Sequence, residues 1–365
     1  MKYRVAEYYP QFACKCGECR ASCCSGWPVT IRKDEYDRIM EAPASPEYRE
    51  ELKAALRLNF APEDARYAHI VHGKSGHCLL QREDGLCGLQ LALGEAVLPD
   101  VCRLYPRNRR LVGGGAECAL SMSCEGVVEL LLSSREPLRL IETELGEEPL
   151  FSIDMTEEQK TRCRRALELI SDRTMTIPER FSRMGEELFD CVSVCGETEG
   201  RLEGVRMLHK LTQDQNGKNK VAGVLCSHAL ACFGLERKDK LSQVEAEELL
   251  RRYDEAGAAV WGRWPDWTAF ADRLLANHMF YNSFPHVGGT SDGARAFEGL
   301  CAVYAFVKFV TVGNLLHREG REPLADVLGE LGRMIEHSDF KYRAAQAYRR
   351  QSEYAPGYWR QLTGL

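Results

Sequence analysis

The double cysteine Cys23-Cys24 closes a run of thiols denser than a small hydrophobic core uses: Phe12-Ala13-Cys14-Lys15-Cys16-Gly17-Glu18-Cys19-Arg20-Ala21-Ser22-Cys23-Cys24-Ser25-Gly26-Trp27. Its essential spacing is C-x4-C-x3-C-C. Gly17 and Gly26 supply the backbone freedom that lets closely spaced thiols converge on one centre. Of the 16 cysteines in 365 residues, ten (Cys14, Cys16, Cys19, Cys23, Cys24, Cys78, Cys87, Cys102, Cys118 and Cys124) fall in the first 124 residues, about twice what even scatter would place there. A single cysteine is ordinarily a small buried hydrophobe, but that reading fails for the whole set. Soft thiolates select zinc, copper(I) or iron–sulfur clusters over magnesium or calcium.

A second group lies downstream. It comprises Cys78-Leu79-Leu80-Gln81-Arg82-Glu83-Asp84-Gly85-Leu86-Cys87, then Cys102-Arg103-Leu104-Tyr105-Pro106-Arg107, then Cys124. Asp84-Gly85 is a hairpin-turn signal that predicts Cys78 folded back beside Cys87. The arginines after Cys102 are positioned to donate to thiolates. The opening Met1–Glu7 lacks the apolar stretch of a secretory signal, so the expected compartment is the reducing cytoplasm, where clustered cysteines serve metal or redox chemistry rather than disulfides. The longest apolar run, Leu300 to Val312, contains Lys308 and is too short to span a bilayer, which predicts no membrane insertion. A net charge of −6 offers no bulk basic field, and the Arg103–Arg110 spot lacks extended aromatic interleaving, so no nucleic-acid partner is expected.

The expected fold class is mainly α: a cysteine-rich metal-binding region over residues 1–125, then a helical region over 126–365, a candidate for substrate recognition. In the first, Asp34 is read as capping a helix through Met40, Pro46 as opening a helix to about Leu58, and Pro28–Ile31 as a short extended piece. In the second, Thr156-x-x-Gln159 and Ser242-x-x-Glu245 are capping boxes. Pro323 opens a stretch with Leu324, Val327, Leu328, Leu331, Met334 and Ile335 on one face. Gln213 to Lys220 reads as a polar loop, and strand-like alternation is scarce.

The cysteine segments resemble the flagellin lysine N-methylases. Phe12-x-Cys14-x4-Cys19-x3-Cys23-Cys24-x-Gly26-Trp27 looks like that family's opening. Cys78-x-Leu80, Asp84-Gly85-Leu86-Cys87, Gly94-Glu95, Cys102-Arg103-x-Tyr105-Pro106-Arg107 and Ser123-Cys124 follow in the same order. A broader group of zinc- or iron-chelating domains shares the double cysteine and the Cys-Arg-x-Tyr-Pro ending; the Tyr8-Tyr9-Pro10 lead-in and Trp27 favour the methylase branch. The resemblance covers residues 8 to 124. It implies methyl transfer from S-adenosylmethionine to lysine side-chain amines of flagellin, and dependence on an iron–sulfur cluster of the [4Fe-4S] type, with zinc as the alternative metal. Carried over by position, the implied ligands are Cys14, Cys19, Cys23, Cys24, Cys78, Cys87, Cys102 and Cys124, more than the four one cluster takes. The family often has proline after the last cysteine, where this chain has Glu125.

Beyond the thiols the chemistry is not legible. No Gly-rich strand-to-helix fingerprint marks a nucleotide site; Gly113-Gly114-Gly115 reads as a loop. Cys16-x2-Cys19-x3-Cys23 reverses the intervals of a radical S-adenosylmethionine motif, and Cys191-x3-Cys195 lacks its third member. Tyr105 reads first as packing over the metal site and second as an aromatic wall for a cation. His69, His72 and His77 read as loop residues rather than ligands. Trp264 and Trp267 read as one helical face with Trp261 and Phe270 nearby, and Tyr354, Tyr358 and Trp359 as docking the chain's last stretch. The residues alone leave two rivals to methyl transfer open: a non-enzymatic zinc- or iron-binding or sensing protein, and an iron–sulfur redox protein.

Overall fold

The computed structural model describes residues 1–192, 195–215, 220–235, 240–286, 292–318, 320–353 and 357–365. Two compact units make up the chain: Ala13–Arg107, and Met1–Phe12 together with Asn108–Leu365. The division departs from the composition shift near residue 125. The segment from Asn108 to Cys124 joins the helical unit because its strand Gly115–Leu120 pairs with the N-terminal strand Lys2–Ala6 on one side and with Arg107–Val112 on the other.

The Ala13–Arg107 unit is built from short elements. The helix Lys33–Glu41 starts at Arg32, whose N–H donates to Glu35 Oε2 at 2.8 Å; Glu35, not Asp34, makes the reciprocal contact. The next helix, Pro46–Ala55, is capped by Ser45, whose hydroxyl accepts from the Tyr48 N–H at 3.2 Å. It stops three residues short of the expected Leu58 because Leu56 begins a strand, Leu56–Glu63. That strand lies in a three-stranded sheet with Arg66–Ile70 in the centre and Thr30–Ile31 beyond it. The core is small: Val29, Ile31, Ile39, Leu52, Ala55, Leu56, Ala68, Ile70, Leu80, Leu89 and Leu98 are its buried apolar residues. Units with so little core are generally completed by disulfides or metal.

In the other unit a five-stranded sheet runs in the order Leu140–Glu144, Lys2–Ala6, Gly115–Leu120, Arg107–Val112, Phe151–Ile153. This corrects the reading that strands are scarce. Alternation is hidden because both faces of Gly115–Leu120 are covered: Glu117, Cys118, Ala119 and Leu120 are all buried. Gly113 and Gly114, at φ of 51° and 85°, form the hairpin turn between two of these strands rather than a loose loop. Glu117 is held by Arg110 at 3.0 Å and by Arg4.

The helices follow their sequence signals. Thr156 and Ser242 cap Glu157–Ser171 and Gln243–Arg263 with both halves of the capping box formed. The Pro323 stretch is the helix Arg321–Glu336. The apolar run from Leu300 lies inside the longer helix Gly293–Leu315, whose start Asp292 caps by accepting from the Arg295 N–H at 2.9 Å. Among the described residues this helix is long and apolar enough to cross a membrane, but most of it is buried among neighbours. Its Gly313 permits close approach to Ala229 of the helix Lys220–Cys232: a Cβ there would lie 2.6 Å from Ala229 Cα. Trp264 and Trp267 do not share a helix. The chain leaves helix at Trp264 and restarts at Trp267, which stacks on Trp261 at 4.3 Å. Tyr358 and Trp359 are buried as expected; Tyr354 and residues 216–219 of the polar stretch lie outside the described residues, while Gln213 and Asp214 end the helix Glu197–Asp214.

Candidate functional site

The thiols of the Ala13–Arg107 unit are gathered by two turns pressed together. Gly17 lies against the Asp84-Gly85 turn so closely that a Cβ on it would stand 2.4 Å from the Asp84 carbonyl oxygen. The turn itself forms as its residues direct: Gly85 has φ of 79°, Arg82 N–H donates to Leu86 O at 2.9 Å, and Gln81 pairs with Cys87. Cys78 N–H donates to Cys24 O at 2.7 Å, which brings the second cysteine group to the first. Gln81 is the further tie: its amide donates to Ser22 Oγ and to Gly85 O, each at 3.1 Å. Sequence reasoning passed over both Gln81 and Ser22, although their places between cysteines were a usable signal.

Charge on Cys24 opposes ionisation of Cys78, Cys87 and Cys102, and charge on Cys24, Cys14 and Cys102 opposes that of Cys23. The Cys23 thiol donates to Cys24, and with help from Ser22 and His77 this holds Cys24 below the usual thiol range against the desolvation that opposes it. Cys23, as the donor, is pushed far up. Burial raises Cys78 to about 11 and also raises Cys87. Cys102 is exposed as a residue, yet the desolvated setting of its sulfur pushes the thiol well up.

Backbone amides point at the sulfurs. Leu80 N–H lies 3.4 Å from Cys78 Sγ, Cys16 N–H lies 3.3 Å from Cys14 Sγ, and the Gln90 and Leu89 amides favour the Cys87 thiolate. Such donors are what metal thiolates accept from a protein. In kind, this donor set fits a thiophilic metal or cluster. As placed, no three His, Cys, Asp or Glu side chains among the described residues are grouped closely enough to hold a metal ion.

The remaining sequence candidates sort by position. Cys19 sits directly after the turn Cys16–Glu18. Cys124 is in the other unit, as the N-cap residue of the helix Glu125–Ser133, partly buried against that unit's core. Tyr105 meets Trp27 edge-on at 5.0 Å, and Trp27 Nε1 donates to Cys23 O at 2.7 Å, so this aromatic pair braces the double cysteine. His69 lies on a strand and bonds Asn59 at 2.8 Å; His72 bridges Cys78, and His77 reaches Gln81 at 2.9 Å.

The class of protein that matches this chain along nearly its whole length is the lysine-N-methylases, which supports a methyltransferase-like role. In particular, it is 21% identical over 389 aligned residues to the lysine-N-methylase of Salmonella typhimurium (strain LT2), covering 95% of this chain and 94% of that one. The lysine-N-methylase of Salmonella choleraesuis is 21% identical over 391 residues with the same coverage. A flagellar biosynthetic protein, FliU, of Salmonella muenchen is 25% identical over 149 residues, 40% of this chain and 82% of that protein. The resemblance read from the cysteine segments thus extends, at low identity, through the helical region. No family model matches the chain. No solved structure matches it either.

Proposed function

We propose that this protein transfers methyl groups from S-adenosylmethionine to lysine side-chain amines of flagellin. The observation that carries this reading is the similarity over 95% of the chain to proteins named lysine-N-methylase. The FliU relative adds a flagellar link. An iron–sulfur cluster of the [4Fe-4S] type is the proposed cofactor, with zinc as the alternative metal. Its four ligands would come from among Cys14, Cys19, Cys23, Cys24, Cys78, Cys87, Cys102 and Cys124. Bound there, the soft metal centre would join loops that the small core holds weakly. The proposed compartment is the cytoplasm, where the thiols stay reduced.

The test uses full-length protein purified without oxygen, assayed for iron, sulfide and zinc, then incubated with flagellin and S-adenosylmethionine labelled in its methyl group. The expected result is label on flagellin lysines and about four iron and four sulfide per chain. Absence of label with metal-replete protein would overturn methyl transfer to flagellin. Zinc alone would replace the cluster with a structural thiolate centre.

A further inference from the structure

The helix Lys220–Cys232 carries two cysteines in opposite settings. Ala222, Cys226, Ala229 and Leu230 are buried on its inner side, where Cys226 serves as a small hydrophobe. Val224, His228 and Cys232, spaced by four, follow one another along the outer side. Val224 and His228 are exposed there, and Cys232 is partly so. Across the last turn, Cys232 Sγ lies 3.7 Å from His228 Nδ1 and 4.0 Å from its Nε2.

That separation matches the bite of a tetrahedral metal ion. Thiolate sulfur and imidazole nitrogen suit the same soft divalent cations, and ligands four apart on a helix reach one ion from the same side. With sulfur at about 2.3 Å, nitrogen at about 2.0–2.1 Å and a tetrahedral angle of about 109°, the two donors stand about 3.5–3.6 Å apart. Side-chain rotation therefore closes the chelate without moving the backbone. The backbone itself is fixed, because Ala229, next to His228, packs directly on Gly313. Donors carried on a packed helix keep their spacing. The pair also sits at the helix's C-terminal end, where aligned peptide dipoles favour positive charge and no basic side chain occupies the last turn. Burial raises the Cys232 thiol, and the charge of Arg318 counters it.

We propose that His228 and Cys232 form a surface chelate for a thiophilic divalent cation of the zinc class, made without any of the N-terminal thiols. The S–H bond breaks as the metal–sulfur bond forms, the proton passes to solvent, and neutral imidazole supplies the second donor. Water fills the remaining positions. Structural zinc takes four protein ligands, so two make an exchangeable site. The site does not depend on the methyl-transfer reading.

The test is equilibrium dialysis of the full chain against zinc, comparing wild type with His228→Ala, Cys232→Ser and the double variant. The thiols of the other unit are common to all four proteins and cancel in the differences. Wild type should hold one more zinc per chain than the double variant. Each single substitution should weaken that zinc by about tenfold or more, since even loss of a ligand's outer partner costs that much, and the double variant should lose little beyond either. Cys195→Ser, which removes a partly exposed thiol bonded to Glu199 rather than to an imidazole, should bind zinc as wild type does. In proton NMR, zinc should shift the His228 ring resonances in wild type and leave them in place in Cys232→Ser. Circular dichroism confirms that each variant is folded. Unchanged zinc uptake in His228→Ala would overturn the chelate in favour of a lone thiol. Losses that add in the double variant, or equal uptake by wild type and double variant, would also overturn it.

Discussion

Replacing Gly17 by alanine probes whether the two cysteine groups are held together by backbone contact. A Cβ at this position would sit 2.4 Å from Asp84 O and 3.4 Å from Leu86 Cδ2. An ordinary carbon–oxygen approach is about 3.3 Å or more, so one turn must retreat by about 1 Å. The obstacle is backbone, which cannot rotate aside as a side chain would. Overpacking of this kind costs about 1–3 kcal/mol, and here it also displaces Cys14, Cys16 and Cys19 from the turn before Cys87. Gly76 is the matched control: its φ of 85° strains any substitution, but nothing lies within 4 Å of its Cβ position. Guanidinium denaturation and metal content would be measured on both variants of the full chain. Gly17→Ala should lower both stability and bound metal, whereas Gly76→Ala should show only the cost of a left-handed residue, about 1 kcal/mol, with metal retained. Equal metal content in wild type and Gly17→Ala would refute the reasoning.

Other perturbations test separate parts of the molecule. Cys23→Ser and Cys24→Ser should each lose bound metal, because a hydroxyl is a poor soft-metal ligand, while Cys163→Ser, in the helical unit, should keep it; elemental analysis decides. Asp272, 1% exposed, pairs with buried Arg180 at 3.3 Å and with Arg173 at 2.7 Å. Asp272→Asn should therefore cost about 3–5 kcal/mol in urea denaturation, as expected for a buried cation left unpaired. Burial lowers His209 from 6.5 to about 4, so the folded state keeps it neutral where the unfolded chain takes a proton. Its contribution is complete above pH 6.5 and is lost as pH falls from there toward 4, by about 3 kcal/mol. Wild type should lose that much more stability than His209→Asn over this window, measured by denaturant midpoint at each pH.

The local signals were read best where a side chain closes a hydrogen-bonded ring with nearby backbone. The boxes at Thr156 and Ser242 and the Asp84-Gly85 turn need only a few residues, and each forms as expected. Signals that depended on continuity failed. The Trp264/Trp267 pairing assumed one helix where the chain breaks, and the strand Gly115–Leu120 showed no alternation because both of its faces are covered.

By itself, the sequence determined that thiols would be gathered at the N-terminal side, since ligand type and spacing are covalent facts and the turn at Gly85 needs only its own backbone. It also determined the capped helices. Tertiary structure alone decided how the two cysteine groups meet, because that depends on the Cys78 backbone bond to Cys24 and on Gln81 reaching Ser22. It alone placed Ser121 and His278 around the buried carboxyl of Glu336. Contacts between residues so far apart in the chain leave no periodicity to read, and only the packing of strands and helices brings their polar atoms within reach.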